Sequence, residues 1–81
     1  MEYDKNKVDE MALALLYITS FQDQFGARAW KSMAWEVMDR LFEKGYIGDP
    51  KGKAKSVILT ETGQKLSQEL FEKNFGAKLD I

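Results

Sequence analysis

The stretch EKGYIGDPKGKAKSVILTETGQKL, residues 43–66, joins the end of one predicted helix to the start of the next. Gly45 can adopt the left-handed backbone conformation at little steric cost, so we expect it to end the first of these helices. The apolar pair at residues 46–47 and the β-branched run at residues 56–59 each predict a strand, and the glycine- and lysine-rich residues between them predict a loop. The stretch therefore predicts an antiparallel hairpin. This hairpin either binds DNA as a wing or has only the structural role of closing a small core.

Helices are predicted on both sides of this hairpin from apolar residues at helical spacing. The predicted bounds are about residues 4–20 and residues 33–44, with a last helix that starts after Thr60 and ends at Gly76. The helix caps that the sequence offers are Asp4 or Asn6, then Ser32, then Thr60. The segment ARAWKS, residues 27–32, predicts either a brief strand or an extended connector.

Length and composition restrict the class of protein. With 81 residues the chain is expected to form a single domain over residues 1–81, and a chain this short buries roughly 60–65% of its unfolded surface, which leaves a thin core. A content of 44% hydrophobic and 31% charged residues argues against a disordered chain. The apolar run at residues 11–18 is far shorter than the roughly 20 residues that cross a bilayer. We expect a soluble, cytoplasmic protein with no membrane association.

The chain contains neither cysteine nor histidine. Disulfides, thiolate metal sites, histidine general bases and Ser-His-Asp triads are therefore excluded. Carboxylates, lysines and hydroxyls remain, but no motif brings them together in the pattern of a nucleophile with its base. The sequence predicts that the protein is not an enzyme and has no catalytic residues, no metal site and no cofactor.

The segment VMDRLFEKGYI…SVILTETGQKL resembles the LxxxGLI…VxLTxxG pattern around the wing of bacterial winged-helix regulators, over about residues 33–71. This resemblance implies an α+β, mainly helical, winged-helix-like fold in the order helix, short strand, helix, β-hairpin wing, helix. DNA-reading winged helices usually place two helices before the hairpin, and only about a dozen residues separate Ser20 from Met33 here. The helix-turn-helix is therefore expected to be reduced.

The chain as a whole resembles a small family of uncharacterised bacterial proteins. The shared features are an opening like MEYDKNKVDEMALALLYIT and a middle like FGARAWKS…W…MDRLFEKGYI. This resemblance implies no activity.

Two hypotheses of function follow from the charge pattern. The favoured one is a non-enzymatic regulatory or protein-interaction module with an unidentified protein partner, because the sequence pI of about 5.4 does not fit a strongly basic surface. The alternative is a DNA-binding transcription regulator that contacts phosphates with a lysine-rich wing and a base with the second helix. Its nucleic-acid-binding candidates are Arg40, Lys51, Lys53 and Lys55. Alternating lysines in a hairpin also increase solubility and discourage edge-to-edge pairing with strands of other chains. Because this explains the lysines without a ligand, DNA is the less favoured partner.

The first helix has two apolar faces, and a thin core offers little to cover both. The last helix is one candidate cover, and a second copy of the chain is the other. We expect a homodimer, with a predicted interface of Leu13, Leu16, Tyr17 and Phe21. Trp30 and Trp35 are predicted to be core residues, because aromatic side chains beside an apolar stripe are more often packed than free to stack on a ligand.

Overall fold

The computed structural model describes residues 1–77. This range contains three helices and one three-stranded antiparallel sheet, which confirms the predicted α+β, mainly helical fold class. The elements in chain order are α1 (Lys5–Ile18), β1 (Phe21–Asp23), β2 (Gly26–Trp30), α2 (Trp35–Glu43), β3 (Ser56–Ile58) and α3 (Glu61–Phe75). Within the described residues, every helix falls short of the length and apolar content that a membrane span requires.

The start of α1 follows the sequence closely, and its end does not. Asp4 accepts a hydrogen bond at its side-chain Oδ1 from the backbone N–H of Lys7 at 3.1 Å, so it is the N-cap. The helix ends at Ile18 because the chain turns at residues 19–20 into a short hairpin of β1 and β2. The sequence reasoning missed β1 entirely and placed Phe21 on a helix face.

The β1–β2 turn and the end of α2 both depend on a glycine with positive φ. Gly26 has φ 130° and follows a turn in which the backbone N–H of Phe25 donates to Asp23 Oδ1 at 2.8 Å. Gly45 has φ 81° and its N–H donates to the carbonyl of Phe42 at 2.9 Å, so the predicted helix stop is confirmed. The predicted cap Ser32 is wrong, since α2 begins later, with Ala34 as its N-cap and no side-chain cap bond.

The sheet has the order β1-β2-β3. The strand predicted after the lysine-rich loop, β3, therefore pairs mainly with β2 and not with residues 46–47. Ala29 faces Val57 in the β2–β3 register. The predicted pairing of residues 46–47 with residues 56–59 is reduced to one bridge between Ile47 and Leu59. One backbone hydrogen bond lies on each side of this bridge. The wing is therefore a long loop over residues 48–55 and not an extended two-stranded ribbon.

The core lies between α1, α2 and the inner face of the sheet. Its buried apolar cluster consists of Ala12, Leu13, Leu16, Ala27, Ala29, Val37, Met38, Leu41, Ile47, Val57 and Leu59, with Met33, Tyr46, Leu66 and Leu70 packed against it. Helix α3 packs along α1, where the rings of Tyr17 and Phe71 lie 5.5 Å apart. The predicted cap of α3 is confirmed, since Thr60 Oγ1 accepts from the N–H of Gly63 at 2.9 Å.

Candidate functional site

An open groove of about 580 Å³ lies between the end of β2, the start of α2 and the loop before β3. The residues that define it are Trp30, Lys31, Trp35, Lys53 and Lys55, and we call it the tryptophan–lysine groove. The remaining lining residues are small and neutral, so the groove carries three cations and, among residues 1–77, no acidic side chain.

Both tryptophans are exposed, and their predicted place in the core is wrong. In β2 the alternating pattern buries Ala27 and Ala29, so Trp30 falls on the outer face and stays 52% exposed. In α2 the inward residues begin at Val37, and Trp35, at the first position of the helix, is 63% exposed. The sheet packs closely on α1 through the two alanines, which leaves no room there for an indole.

Trp30 is nevertheless held in place. Its ring centroid lies 5.0 Å from that of Phe21 on the neighbouring strand, with an interplanar angle of 36°. Tilted aromatic pairs at this separation attract each other beyond simple area burial. The hairpin that the sequence reasoning missed therefore supports one side of Trp30 and leaves the rest of the indole open to solvent.

Two contacts from Lys31 tie the lysine-rich loop to the end of β2. The side-chain Nζ of Lys31 donates to the carbonyl of Gly52 at 2.7 Å, and its backbone N–H donates to the carbonyl of Lys55 at 3.0 Å. At the start of the loop, Asp49 Oδ1 accepts from the N–H of Lys51 at 2.9 Å. These bonds fix the loop so that Lys53 and Lys55 lie beside the two tryptophans, whereas Lys51 is exposed in the same loop without lining the groove.

Arg40 lies in a different site, a charged cluster between α1 and α2. Its guanidinium Nε and Nη2 donate to the carboxylate of Asp9 at 2.8–3.0 Å, and Lys44 Nζ donates to the same carboxylate at 2.9 Å. Burial would raise the pKa of Asp9, but the hydrogen bonds from Arg40 and Lys44 outweigh it and hold that pKa below its ordinary value. The hydrogen bond to Asp9 raises the pKa of Arg40.

Within one copy of the chain, two residues of the predicted dimer interface are buried and the other two are partly buried. Leu13 and Leu16 belong to the buried core. Tyr17 packs on Phe71 of α3, and Phe21 packs on Trp30. The exposed apolar stripe of α1 is instead the other face, which includes Val8, Leu15 and Ile18. Homodimerisation itself stays a prediction.

Sequence reasoning selected Lys53 and Lys55 but missed Trp30, Trp35 and Lys31 as members of the same site. The signal that points to Trp30 is the alternation in GARAW, since two small residues suited to a crowded sheet face put the tryptophan on the opposite face. The position of Trp35 had no such signal, because it depends on where α2 begins. Within residues 1–77, no cluster of three or more acidic side chains is placed to hold a metal ion.

Fold and site together define a small, mainly helical α+β protein with an exposed aromatic and cationic groove. The chain belongs to the family described as a domain of unknown function, DUF6429, whose model matches residues 4–77. It is 44% identical over 75 residues to the uncharacterized protein y4hR of Sinorhizobium fredii (strain NBRC 101917 / NGR234), which covers 93% of this chain and 97% of that protein. The predicted membership in a family of uncharacterised bacterial proteins is confirmed. No solved structure matches the chain, so the winged-helix resemblance stays a prediction.

Proposed function

We propose that this protein is a small, non-enzymatic nucleic-acid-binding module and that the tryptophan–lysine groove is its binding surface. The observation that carries the proposal is that two exposed tryptophans and three lysines line one groove, to which the described part of the chain contributes no acidic side chain. Aromatic side chains stack on bases, and lysines neutralise phosphates. The protein-interaction hypothesis was favoured because the sequence pI of about 5.4 does not fit a strongly basic surface, but the exposure of Trp30 and Trp35 beside three lysines supports the nucleic-acid alternative.

A non-enzymatic role is supported by the state of Asp9, the one buried carboxylate among residues 1–77. Asp9 is 2% exposed and shared between Arg40 and Lys44, and its pKa is lowered, so it stays ionised and engaged. A general acid or base needs a pKa near the working pH and a free approach to substrate. Asp9 has neither, and its bonds favour a structural role.

The test uses the chain's own fluorescence, because its 2 tryptophans both line the groove. Titration with an unlabelled oligonucleotide at low salt is expected to quench the emission in a saturable way. For three lysine–phosphate contacts, the slope of log K against log salt is expected to be about −2 for a single strand. Removal of two of these lysines, in Lys53→Ala combined with Lys55→Ala, should bring the slope to about −0.7.

The matched control for the lysine variant is Lys73→Ala, since Lys73 is also exposed but lies on α3, outside the groove. Its affinity and salt slope should equal those of the wild type. Unchanged emission of the wild-type protein with every oligonucleotide at low salt would overturn the proposal.

A second candidate function is supported by the exposed face of α1. Val8, Met11, Leu15 and the neighbouring Met33 line a shallow, almost wholly apolar depression, and Ile18 extends this face with 62% of its surface exposed. Contiguous apolar surface of this kind marks sites of protein association. The corresponding function is a protein-interaction module that pairs two copies through α1, with the same face meeting itself across a two-fold axis.

Sedimentation over a range of concentrations tests this second candidate. A dimer through α1 is expected to dissociate on Leu15→Glu, because the carboxylate would be buried in the interface without a partner. Glu10→Lys changes an exposed charge on α1 outside that depression and serves as the control. A wild-type protein that sediments as a monomer at all concentrations would remove the candidate.

A further inference from the structure

We infer that the tryptophan–lysine groove takes single-stranded nucleic acid in preference to a duplex. This inference rests on the proposed function and names the form of nucleic acid that the same groove recognises. It depends on three features of the described residues: the charge of α2, the exposed indole surfaces and the fixed position of the lysine-rich loop.

Helix α2 is unsuited to enter the groove of a duplex. Its surface carries Glu36, Asp39 and Glu43, and these carboxylates would face phosphates of both strands if the helix lay in a major groove. Its one arginine, Arg40, is bonded to Asp9 through two guanidinium nitrogens. In residues 1–77, α2 is also the only helix between the β1–β2 hairpin and the lysine-rich loop, so the supporting helix of a helix-turn-helix is absent there.

The indoles are suited to bases that are not already stacked. Trp30 and Trp35 each present about half or more of their surface to solvent, and both line the same groove. In a duplex the faces of the bases are covered by their neighbours, whereas in a single strand each base offers a face for stacking. A groove whose main apolar surface is two exposed indoles therefore matches a single strand better than a double helix.

The cations are positioned beside the indoles before any ligand arrives. The bonds of Lys31 to Gly52 and Lys55 hold the loop against the end of β2. Lys53 and Lys55, two residues apart on an exposed segment, then flank the tryptophans, and none of the lining residues that the structure describes is acidic. Backbone phosphates of a strand whose bases stack on the indoles would meet these ammonium groups, which gives the charge complementarity that the inference needs.

The deciding experiment compares a single-stranded oligothymidylate of roughly 10 nucleotides with a blunt duplex of the same length, a size within the range of single-strand sites. Both are titrated into the wild-type protein at low salt with tryptophan emission and the anisotropy of a labelled probe as readouts. We expect the single strand to bind at least tenfold more tightly. Equal or tighter binding of the duplex would overturn this inference and leave the proposed function standing, whereas binding of neither would overturn both.

Single-residue variants test whether stacking is the source of the preference. Trp30→Ala and Trp35→Ala should each weaken single-strand binding roughly 5- to 150-fold, the effect of losing one base–aromatic stack, and should change duplex binding much less. Phe25→Ala is the matched control, because Phe25 is 76% exposed but lies in the β1–β2 turn and does not line the groove. Circular dichroism of each variant checks that the fold is kept. Folded tryptophan variants with unchanged single-strand affinity would overturn the inference.

A polyglutamate peptide with as many charges as the oligonucleotide distinguishes an acidic protein segment from a nucleic acid. If the groove binds phosphates together with bases, the peptide should compete poorly with the oligonucleotide and should not quench the tryptophan emission. Displacement of the oligonucleotide by the peptide at equal concentration would assign the groove to an acidic protein partner and overturn both the inference and the proposed function.

Discussion

Arg40 and Asp9 form a bidentate ion pair that joins the middle of α2 to the first half of α1. Nε of Arg40 lies 2.9 Å from Oδ2 of Asp9 and Nη2 lies 2.8 Å from Oδ1, and the carboxylate is 2% exposed. Lys44 supplies a third donor to the same carboxylate from the C-cap of α2. Because bidentate pairs fix orientation as well as distance, this cluster adds directional contacts to the apolar packing between α1 and α2.

The first prediction concerns the carboxylate of this cluster. Asp9→Asn removes the charge that Arg40 and Lys44 share and leaves an amide that cannot accept the same set of bonds. We expect the free energy of unfolding to fall by about 1.5–3 kcal/mol, the range for hydrogen bonds to a charged group. Urea denaturation measures it, with Glu10→Gln on the exposed side of α1 as the control. A loss no greater than in the control would show that the cluster does not stabilise the fold.

The second prediction concerns acid. The pKa of Asp9 is lower in the folded chain than in the unfolded chain, where an aspartate has a pKa of about 3.9. The unfolded state therefore binds the proton first, and the stabilisation is present above about pH 4 and is lost as the pH falls further towards the folded pKa. The difference in unfolding free energy between wild type and Asp9→Asn should be constant from pH 7 to about pH 5 and shrink below about pH 4. A difference that grows towards low pH would contradict this assignment.

Much of the fold could be predicted from local signals. Asp4, Gly45 and Thr60 stand at helix boundaries as expected, because each position depends on a hydrogen bond or a backbone conformation that only a few residue types supply. The strand β1 could not be found in this way. Residues 21–23 carry little apolar alternation, and they form a strand because β2 offers them an open edge.

The candidate site was predicted only in part because it is assembled from three separate segments. Lys53 and Lys55 stand out in the sequence as a charged loop, but nothing local shows that Lys31 fastens this loop beside Trp30. The pairing of β2 with β3 brings these segments together, and that pairing is a long-range contact. The composition also favoured buried tryptophans, whereas the tight approach of the sheet to α1 selects alanine there.

The third prediction concerns Gly63 in the first turn of α3. A Cβ at this position would collide with the backbone carbonyl of Tyr46, which also accepts the N–H of Thr60 at 3.0 Å. In an unhindered helix, glycine to alanine stabilises by roughly 0.5–1 kcal/mol. Here we expect Gly63→Ala to destabilise the protein by about 1–3 kcal/mol, because backbone atoms must move apart. Thr62→Ala, at the exposed neighbouring position, is the control, and a rise in thermal midpoint for Gly63→Ala would refute the close approach.

The fourth prediction concerns Thr60, whose hydroxyl joins α3 to the end of α2. Its Oγ1 accepts from the N–H of Gly63 at 2.9 Å and donates to the carbonyl of Gly45 at 2.7 Å. Thr60→Ala removes both bonds and should cost about 1–2 kcal/mol of unfolding free energy, whereas Thr60→Ser keeps the hydroxyl and should cost much less. Thermal denaturation of the two variants side by side gives the comparison. Equal losses would mean that the methyl group, and not the hydroxyl, stabilises this junction.

The last prediction uses two adjacent leucines to separate the core of one chain from a surface that pairs two chains. Leu16 is 0% exposed and Leu15 is 42% exposed, so the same substitution to alanine tests opposite faces of α1. Leu16→Ala should lower the free energy of unfolding by about 2–5 kcal/mol at every protein concentration, because it leaves a cavity inside a single copy. Leu15→Ala should change that free energy by no more than about 0.5 kcal/mol in a monomer. In a dimer that pairs through α1, Leu15→Ala should instead lower the thermal midpoint most at high protein concentration, where the wild type is dimeric, because apolar area is lost from the interface. A small, concentration-independent loss for Leu16→Ala would contradict the packing of α1 described above.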